Sequence, residues 1–173
     1  VVAEDKLQEK GGASYFESTI RLNAGEVYFS QVNYNREHGR IAFPLQPVLR
    51  VGVPVFDERG IVFGTVIINV DFRVLAKTLH KANESTFYFL TNARGDYIVH
   101  PDQNKRLAFE LGDPVLVSDD YPFEIANVAK NKNTFDSFNI DKLNVGLALH
   151  RLYFDPLNKQ RFFLLGSVTS HEV

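Results

Sequence analysis

Apolar positions between residues 6 and 22 (Leu7, Tyr15, Phe16, Ile20 and Leu22) follow a loose helical spacing that Gly11-Gly12 interrupts, which predicts a short helix over 13–20. Asn23-Ala24-Gly25 stops it. Residues 26–32 then alternate as a strand does, with Val27 and Phe29 on one side and Tyr28 and Ser30 on the other. Residues 33–40 (NYNREHGR) read as a polar loop. Residues 43–47 are an extended lead-in, because a residue before proline is pushed out of the helical region. Residues 48–56 and 61–70 flank Asp57-Glu58-Arg59-Gly60, a turn cluster ending in glycine, and so form a β-hairpin. Phe72, Leu75, Leu79 and Ala82 recur at spacings of three, four and three, marking an amphipathic helix with Asp71 as its N-cap and its end near Asn83.

A second series starts at Ser85. Strands over 86–91 and 96–99 are joined by Asn92-Ala93-Arg94-Gly95, and His100-Pro101-Asp102 leads out of them. A short helix is expected over 125–129, and 134–140, 145–154 and 161–169 alternate as three more strands. The expectation is a five-stranded antiparallel sheet with a helical insertion. Val55-Phe56-Asp57, a turn and Gly64 is echoed by Tyr153-Phe154-Asp155, a longer turn and Gly166, which favours two similar α+β domains in tandem, 1–83 and 84–173. The first has too few strands before Asp71 to be whole, so a strand and a long helix are expected upstream of Val1.

The first hairpin is where chemistry gathers. With an even-numbered turn, Arg50 stands opposite Ile67, Gly52 opposite Thr65 and Val48 opposite Asn69. One face then carries Arg50, Gly52, Thr65, Ile67 and Asn69, with Asp71 two residues on. The other carries Leu49, Val51, Val53, Gly64, Val66, Ile68 and Val70 and reads as core. The first face joins a guanidinium, an amide, a hydroxyl and a carboxylate to a side-chain-free position that leaves space above the sheet, as a polar small-molecule pocket needs. Arg50 and Asp71 are about four residues apart along the strands, roughly 14 Å at ~3.4 Å per residue, too far for an easy ion pair. A ligand bearing a carboxylate and an ammonium would satisfy both, Arg50 as a bidentate fork and Asp71 as an acceptor. The alternative stays open that Asp71 only caps its helix and Arg50 reaches water or an acidic loop residue. Tyr28 and Ser30 share a face of the preceding strand, and Asn33 or Arg36 would close over the pocket from the polar loop, which equally reads as solvated. Tyr15 is a further candidate that also fits a core position.

Composition narrows the classes. Across 173 residues, 19 Lys+Arg against 21 Asp+Glu give a net charge of −2, which offers no basic face for nucleic acid or an anionic membrane. The absence of Cys removes disulfides, thiolate zinc sites and Cys nucleophiles. No apolar run approaches the ~18 residues of a membrane span, and the first residues carry no signal-peptide core. With no Met, the chain is expected to be cut from a longer protein. His38, His80, His100, His150 and His171 show neither i,i+4 nor HExxH spacing, and GxSxG, P-loop and GxGxxG motifs do not occur. Neither a metal, a cofactor nor catalysis is expected.

Four phrases carry a resemblance: Gly25-Glu26-Val27-Tyr28-Phe29-Ser30, Pro47-Val48-Leu49-Arg50-Val51-Gly52-Val53-Pro54-Val55-Phe56-Asp57, Gly64-Thr65-Val66-Ile67-Ile68-Asn69-Val70-Asp71, and Gly95-Asp96-Tyr97-Ile98-Val99-His100-Pro101-Asp102. With the order of elements, over nearly the whole chain, they resemble the double Cache (tandem PAS-like) extracytoplasmic sensor domains of bacterial histidine kinases, diguanylate cyclases and chemoreceptors. The resemblance implies a long N-terminal helix, a membrane-distal domain that binds a small ligand, a membrane-proximal domain, and flanking transmembrane helices. It places Asp71 at the strand-end Asp that holds the ligand's amine in the amino-acid-binding subgroup. Two positions depart from that subgroup: Ala13-Ser14-Tyr15-Phe16 stands where it has Arg-x-Trp-Tyr, and its strand Tyr falls on Asn33. The carboxylate-binding Arg is therefore missing unless Arg50 replaces it. In the second repeat the matching positions are about Ala148 and Val173, so a ligand is expected in the first half.

The expectation is thus a non-catalytic, periplasmic sensing module of a transmembrane receptor. It would hold a small polar metabolite (organic acid, amino acid or amine) through Tyr15, Tyr28, Ser30, Asn33, Arg50, Thr65, Asn69 and Asp71. No nucleic acid is expected, and a homodimer is left open. Sensing requires a differential affinity between two conformations. The rivals are a cytoplasmic tandem PAS protein holding haem or flavin, and a ligand-free dimerisation or interaction module.

Overall fold

A computed structural model describes residues 3–4, 7–79, 85–122, 128, 134–155 and 162–170. The chain divides into two compact units, Val1–Phe72 and Arg73–Val173. The first holds α1 (Ser14–Thr19), β1 (Tyr28–Phe29), β2 (Asn33–Tyr34), β3 (Arg36–Glu37), β4 (Arg40–Ile41), β5 (Pro47–Phe56) and β6 (Val62–Asp71). β5 is the organising strand, antiparallel to β6 along one edge and to β1 and β2 along the other. The strand expected over 26–32 is confined to Tyr28–Phe29. The expected polar loop is instead β2 and a small β3–β4 hairpin, reversed by His38 and Gly39 at φ 49° and 78°. Two central residues at positive φ are what a tight hairpin turn requires.

The tip of the β5–β6 hairpin decides which side chains meet. Asp57 N–H donates to the Ile61 carbonyl at 2.8 Å and Gly60 N–H to the Asp57 carbonyl at 3.0 Å, so the loop holds three residues and closes on Gly60 at φ 77°. A bulge follows, because Phe56 faces Val62 but Val55 faces Gly64, leaving Phe63 without a cross-strand partner. Each feature slips the register by one residue. Face parity survives, but partners move by two: Arg50 stands opposite Asn69, Gly52 opposite Ile67, Thr65 opposite Pro54 and Val48 opposite Asp71. The expected pairings are corrected accordingly. Arg50 and Asp71 are diagonal neighbours, two residues apart along the strands, roughly 7 Å and not 14 Å.

The burial of the two faces also reverses the expectation. Val48, Arg50 and Gly52 are the buried positions of β5, and α1 packs against that strand. Thr19 is fully buried, and a Cβ on Gly52 would fall on its side chain, so the glycine admits the helix and leaves no space for a guest there. The opposite face, read as core, leaves Val66, Ile68 and Val70 50%, 60% and 42% exposed. Among the described residues β6 pairs with β5 alone.

The second unit opens with α2 (Arg73–Thr78), so Phe72 and not Asp71 precedes that helix. Its expected end near Asn83 lies outside the described residues, as does the helix expected over 125–129. β7 (Thr86–Thr91), β8 (Tyr97–Val99), β9 (Phe135–Ile140), β10 (Val145–Tyr153) and β11 (Phe162–Ser170) form the expected five-stranded antiparallel sheet, in the order β8-β7-β11-β10-β9. α3 (Val117–Asp120) and two short 3₁₀ turns lie between β8 and β9. Phe89, Tyr97, Val117, Leu147, Leu149, Leu164 and Val168 make one hydrophobic cluster. Gly166 belongs to it by default, since a Cβ there would strike the Phe89 ring. The echoed residues of the two hairpins occupy different places in register: Val55 faces Gly64, whereas Tyr153 faces Phe162 and Gly166 faces Leu149.

Candidate functional site

A cavity of about 490 Å³ opens against the Arg50 face of the first unit, within the range of small-molecule sites. Three segments line it. Glu9, Lys10 and Gly12 to Tyr15 lead into α1, Asn33 comes from β2 with Arg36 and Gly39 from the β3–β4 hairpin, and Arg50 comes from β5.

Arg50 is buried at 5% exposure and held at both ends. Its backbone N–H donates to Ser30 Oγ at 2.8 Å, and the Ser30 hydroxyl donates to the Gln31 carbonyl at 2.7 Å. Its Nη1 donates to Asn33 Oδ1 at 2.5 Å and Nη2 to Asn35 Oδ1 at 3.4 Å, while Cζ lies 5.0 Å from the centre of the Tyr15 ring. Amide oxygens and a ring face orient the guanidinium.

The mouth forms where the N-terminal stretch is pinned to the hairpin. Gln8 Nε2 donates to Glu37 Oε2 at 2.6 Å, and His38 N–H donates to Gln8 Oε1 at 3.3 Å. Lys10 Nζ donates to the Arg36 carbonyl at 3.4 Å and lies 3.7 Å from Glu37 Oε2, and Asn35 Nδ2 donates to Glu37 Oε1 at 3.0 Å. The Gln8 amide first, then that of Asn35, holds the Glu37 carboxyl below the usual carboxylate range.

Of the eight residues expected at a site, the structure brings Tyr15, Asn33 and Arg50 together on this cavity. Ser30 lies beneath Arg50 as support for its backbone. Tyr28 faces Gly52 from β1, and Thr65, Asn69 and Asp71 stand on β6, outside the lining. Lys10 and Glu9 escaped the sequence reading because residues 7–12 have neither periodicity nor motif; Gly11-Gly12 signalled only that the chain breaks there.

The second unit packs its own titratable groups. The Tyr97 hydroxyl donates to Asp120 Oδ2 at 2.8 Å, and Lys105 Nζ reaches both Asp120 oxygens at 2.6 Å. Burial pushes the Tyr97 hydroxyl up, and that of Tyr121 up to about 12. Among the described residues no cluster of three His, Cys, Asp or Glu is placed to hold a metal, and no helix is long and apolar enough to cross a membrane.

A search of curated proteins finds no match to the chain. Solved structures share its fold. A domain of a sensory box/GGDEF family protein from Vibrio parahaemolyticus superposes with a TM-score of 0.77, at 19% identity, over 96% of this chain and 61% of that one. The extracellular domain of the histidine kinase vpHK1S-Z8 gives 0.73 at 18% identity, over 94% and 57%. The ligand-binding domain of the Pseudomonas aeruginosa PAO1 amino acid chemoreceptor PctC, in complex with GABA, gives 0.67 at 13% identity, over 98% and 66%. This chain therefore spans less than two thirds of the length of the solved domains it matches. The family model described as the sensor domain of bacterial histidine kinases matches residues 1–117, which takes in all of the first unit and the start of the second. On that match the chain belongs to the family of bacterial histidine kinase sensor domains.

Proposed function

We propose that this chain is an extracytoplasmic sensing region of a transmembrane receptor and that it holds a small polar metabolite in the Arg50 cavity of the first unit. The observation that carries this reading is a buried guanidinium, set in place by Asn33, Asn35 and Tyr15, forming a wall of a cavity of about 490 Å³. The PctC domain in complex with GABA supports a small ligand for this fold. Tyr15, Asn33 and Arg50 contact the ligand, and Ser30 positions Arg50. A ligand reaching Lys10 and Arg36 as well ties the N-terminal stretch and the hairpin to the sheet, which favours one arrangement of those segments. Moving such an equilibrium from 1:99 to 99:1 takes a differential affinity of about 10⁴.

The test is an amide NMR titration of the chain with pooled metabolites. Shifts are expected in residues 9–15, 33–39 and 48–52. Shifts found only within 85–170 would remove the reading.

A further inference from the structure

We infer that the Arg50 guanidinium is coupled to the N-terminal stretch through Asn35 and Glu37, so that a molecule engaging Arg50 in the cavity is felt at residues 7–12; this rests on the sensing site proposed above. Asn35 is the joint. Its backbone is fixed on both sides, its N–H donating to the Gln46 carbonyl at 2.8 Å and its carbonyl accepting the Ala42 N–H at 2.9 Å. Its side-chain amide is used at both ends: Oδ1 accepts Arg50 Nη2 at 3.4 Å, and Nδ2 donates to Glu37 Oε1 at 3.0 Å. Turning that amide over would set a donor against the guanidinium and an oxygen against the carboxylate, so the two contacts are made together or lost together. Glu37 carries the link outward. Its Oε2 accepts Gln8 Nε2 at 2.6 Å and lies 3.7 Å from Lys10 Nζ, while Gln8 Oε1 accepts the His38 N–H at 3.3 Å. One carboxylate thus meets the amide that holds Arg50 with one oxygen and fastens the N-terminal stretch with the other.

Coupling needs an element with two arrangements that both ends can bias, and residues 7–12 supply it. They form neither helix nor strand, and they join α1 at Gly11-Gly12, where nothing stands within 4 Å of the place a Gly12 Cβ would take. α1 itself is anchored, because Thr19 is buried against Gly52. A fixed helix, an open joint and a stretch tied down by exposed side-chain contacts give a fastened and a released form of similar energy. Arg50 biases the pair through Asn35, and by reciprocity the fastened stretch steadies Arg50. The exposed contact at Glu37 thereby reports on the buried one at Arg50.

Digestion of the chain with a lysine-specific protease tests this, read as the rate of cutting at the Lys10–Gly11 bond, which follows the population of the released stretch when release and return outpace cutting. Glu37→Ala, at an exposed position, is expected to speed that cut about tenfold. Asn35→Ala, whose amide bonds none of residues 7–12, is expected to speed it about threefold. The double variant is expected to be no faster than Glu37→Ala alone, because Asn35 acts through Glu37, and hydrogen exchange in β5 stays as in the native chain throughout. A cut that either single variant leaves unchanged would overturn the coupling. So would a double variant showing the full product of the two effects, which makes the residues independent, or faster exchange along β5, which makes the release a general loosening of the sheet. Since the digestion contains no ligand, a pooled-metabolite titration that leaves the cavity silent overturns the sensing reading and not the coupling, and a failed digestion beside shifts at the cavity overturns the coupling alone.

Discussion

The two sheets bury opposite kinds of face. In the second unit β11 lies between β7 and β10, and its Leu164, Gly166 and Val168 face Phe89, Leu147 and Leu149 in an apolar cluster. In the first unit β5 has neighbours on both edges, and its buried positions include Arg50 and Gly52, while Val66, Ile68 and Val70 of β6 stay exposed. An apolar buried face supplies cohesion, at about 25 cal/mol per Å² removed from water. A buried guanidinium supplies direction, and its desolvation is offset only by oriented partners such as Asn33 and Asn35. Alternation along a strand therefore tells which residues share a face, but not which face is covered.

The largest effect expected from this contrast is at Leu149, 1% exposed within the cluster. Leu149→Ala is expected to lower stability by about 2–5 kcal/mol in urea unfolding. A loss under about 1 kcal/mol would show that the second sheet is not the cohesive one. Next comes Arg50→Met, which deletes the guanidinium and keeps much of the volume. It is expected to cost about 1–3 kcal/mol, read as faster hydrogen exchange in β5 and β6 with β10 and β11 unchanged. Uniform loss of protection in both sheets would break the comparison.

A pH effect is expected in the second unit from His100. His100 packs 4.6 Å from the Tyr97 ring and 5.7 Å from that of Phe87, and its Nδ1 accepts the Asp102 N–H at 3.0 Å. Burial first, and then the Lys105 charge, pushes its pKa below the ordinary 6.5, against opposing pulls from Asp120 and Asp102. The unfolded chain therefore binds a proton that the folded chain resists. Stability from this group is complete above about pH 6.5 and declines as pH falls from there toward the depressed folded value. Thermal melts at descending pH should show that decline, and His100→Gln should flatten it; an unchanged slope in the variant would assign the effect to other groups.

The smallest effect sharpens the comparison most. Ile68→Thr, on the exposed face of β6, is expected to change stability by no more than about 0.5 kcal/mol. Val168→Thr, 3% exposed on β11, is expected to cost about 1–3 kcal/mol by burying a hydroxyl. Equal costs at the two positions would mean that the β6 face is covered in solution.

Much of the second unit was legible because β10 and β11 each run nine residues and the Asn92-Ala93-Arg94-Gly95 cluster marks the turn between β7 and β8; residues 86–91 are strand in both the sequence and the structure. The first unit was harder. Residues 33–40 have too few apolar positions to show alternation, so β2 and the β3–β4 hairpin, with a turn resting on His38 and Gly39, were invisible to it. Arg50 and Asp71 were placed on one face correctly, but their spacing depended on backbone geometry at Gly60 and Phe63 that composition does not encode. Tyr15, Asn33 and Arg50 converge because α1 rests on Gly52, a contact decided by tertiary packing and foreshadowed only by a glycine in a strand. Lys10 reaches the cavity from a stretch with no regular structure, where sequence offers no signal to follow.

The hairpin tip carries an evolutionary constraint. The three-residue loop and the extra Phe63 are two single-residue offsets that add to a two-residue shift and so keep face parity. Deleting one codon at either place would roll β6 half a turn about its axis, carrying Asn69 and Asp71 to the outside and Val66, Ile68 and Val70 toward α1. Insertions and deletions in this tip are therefore expected to accumulate in pairs across descendants of the same ancestor, with single-residue changes purged.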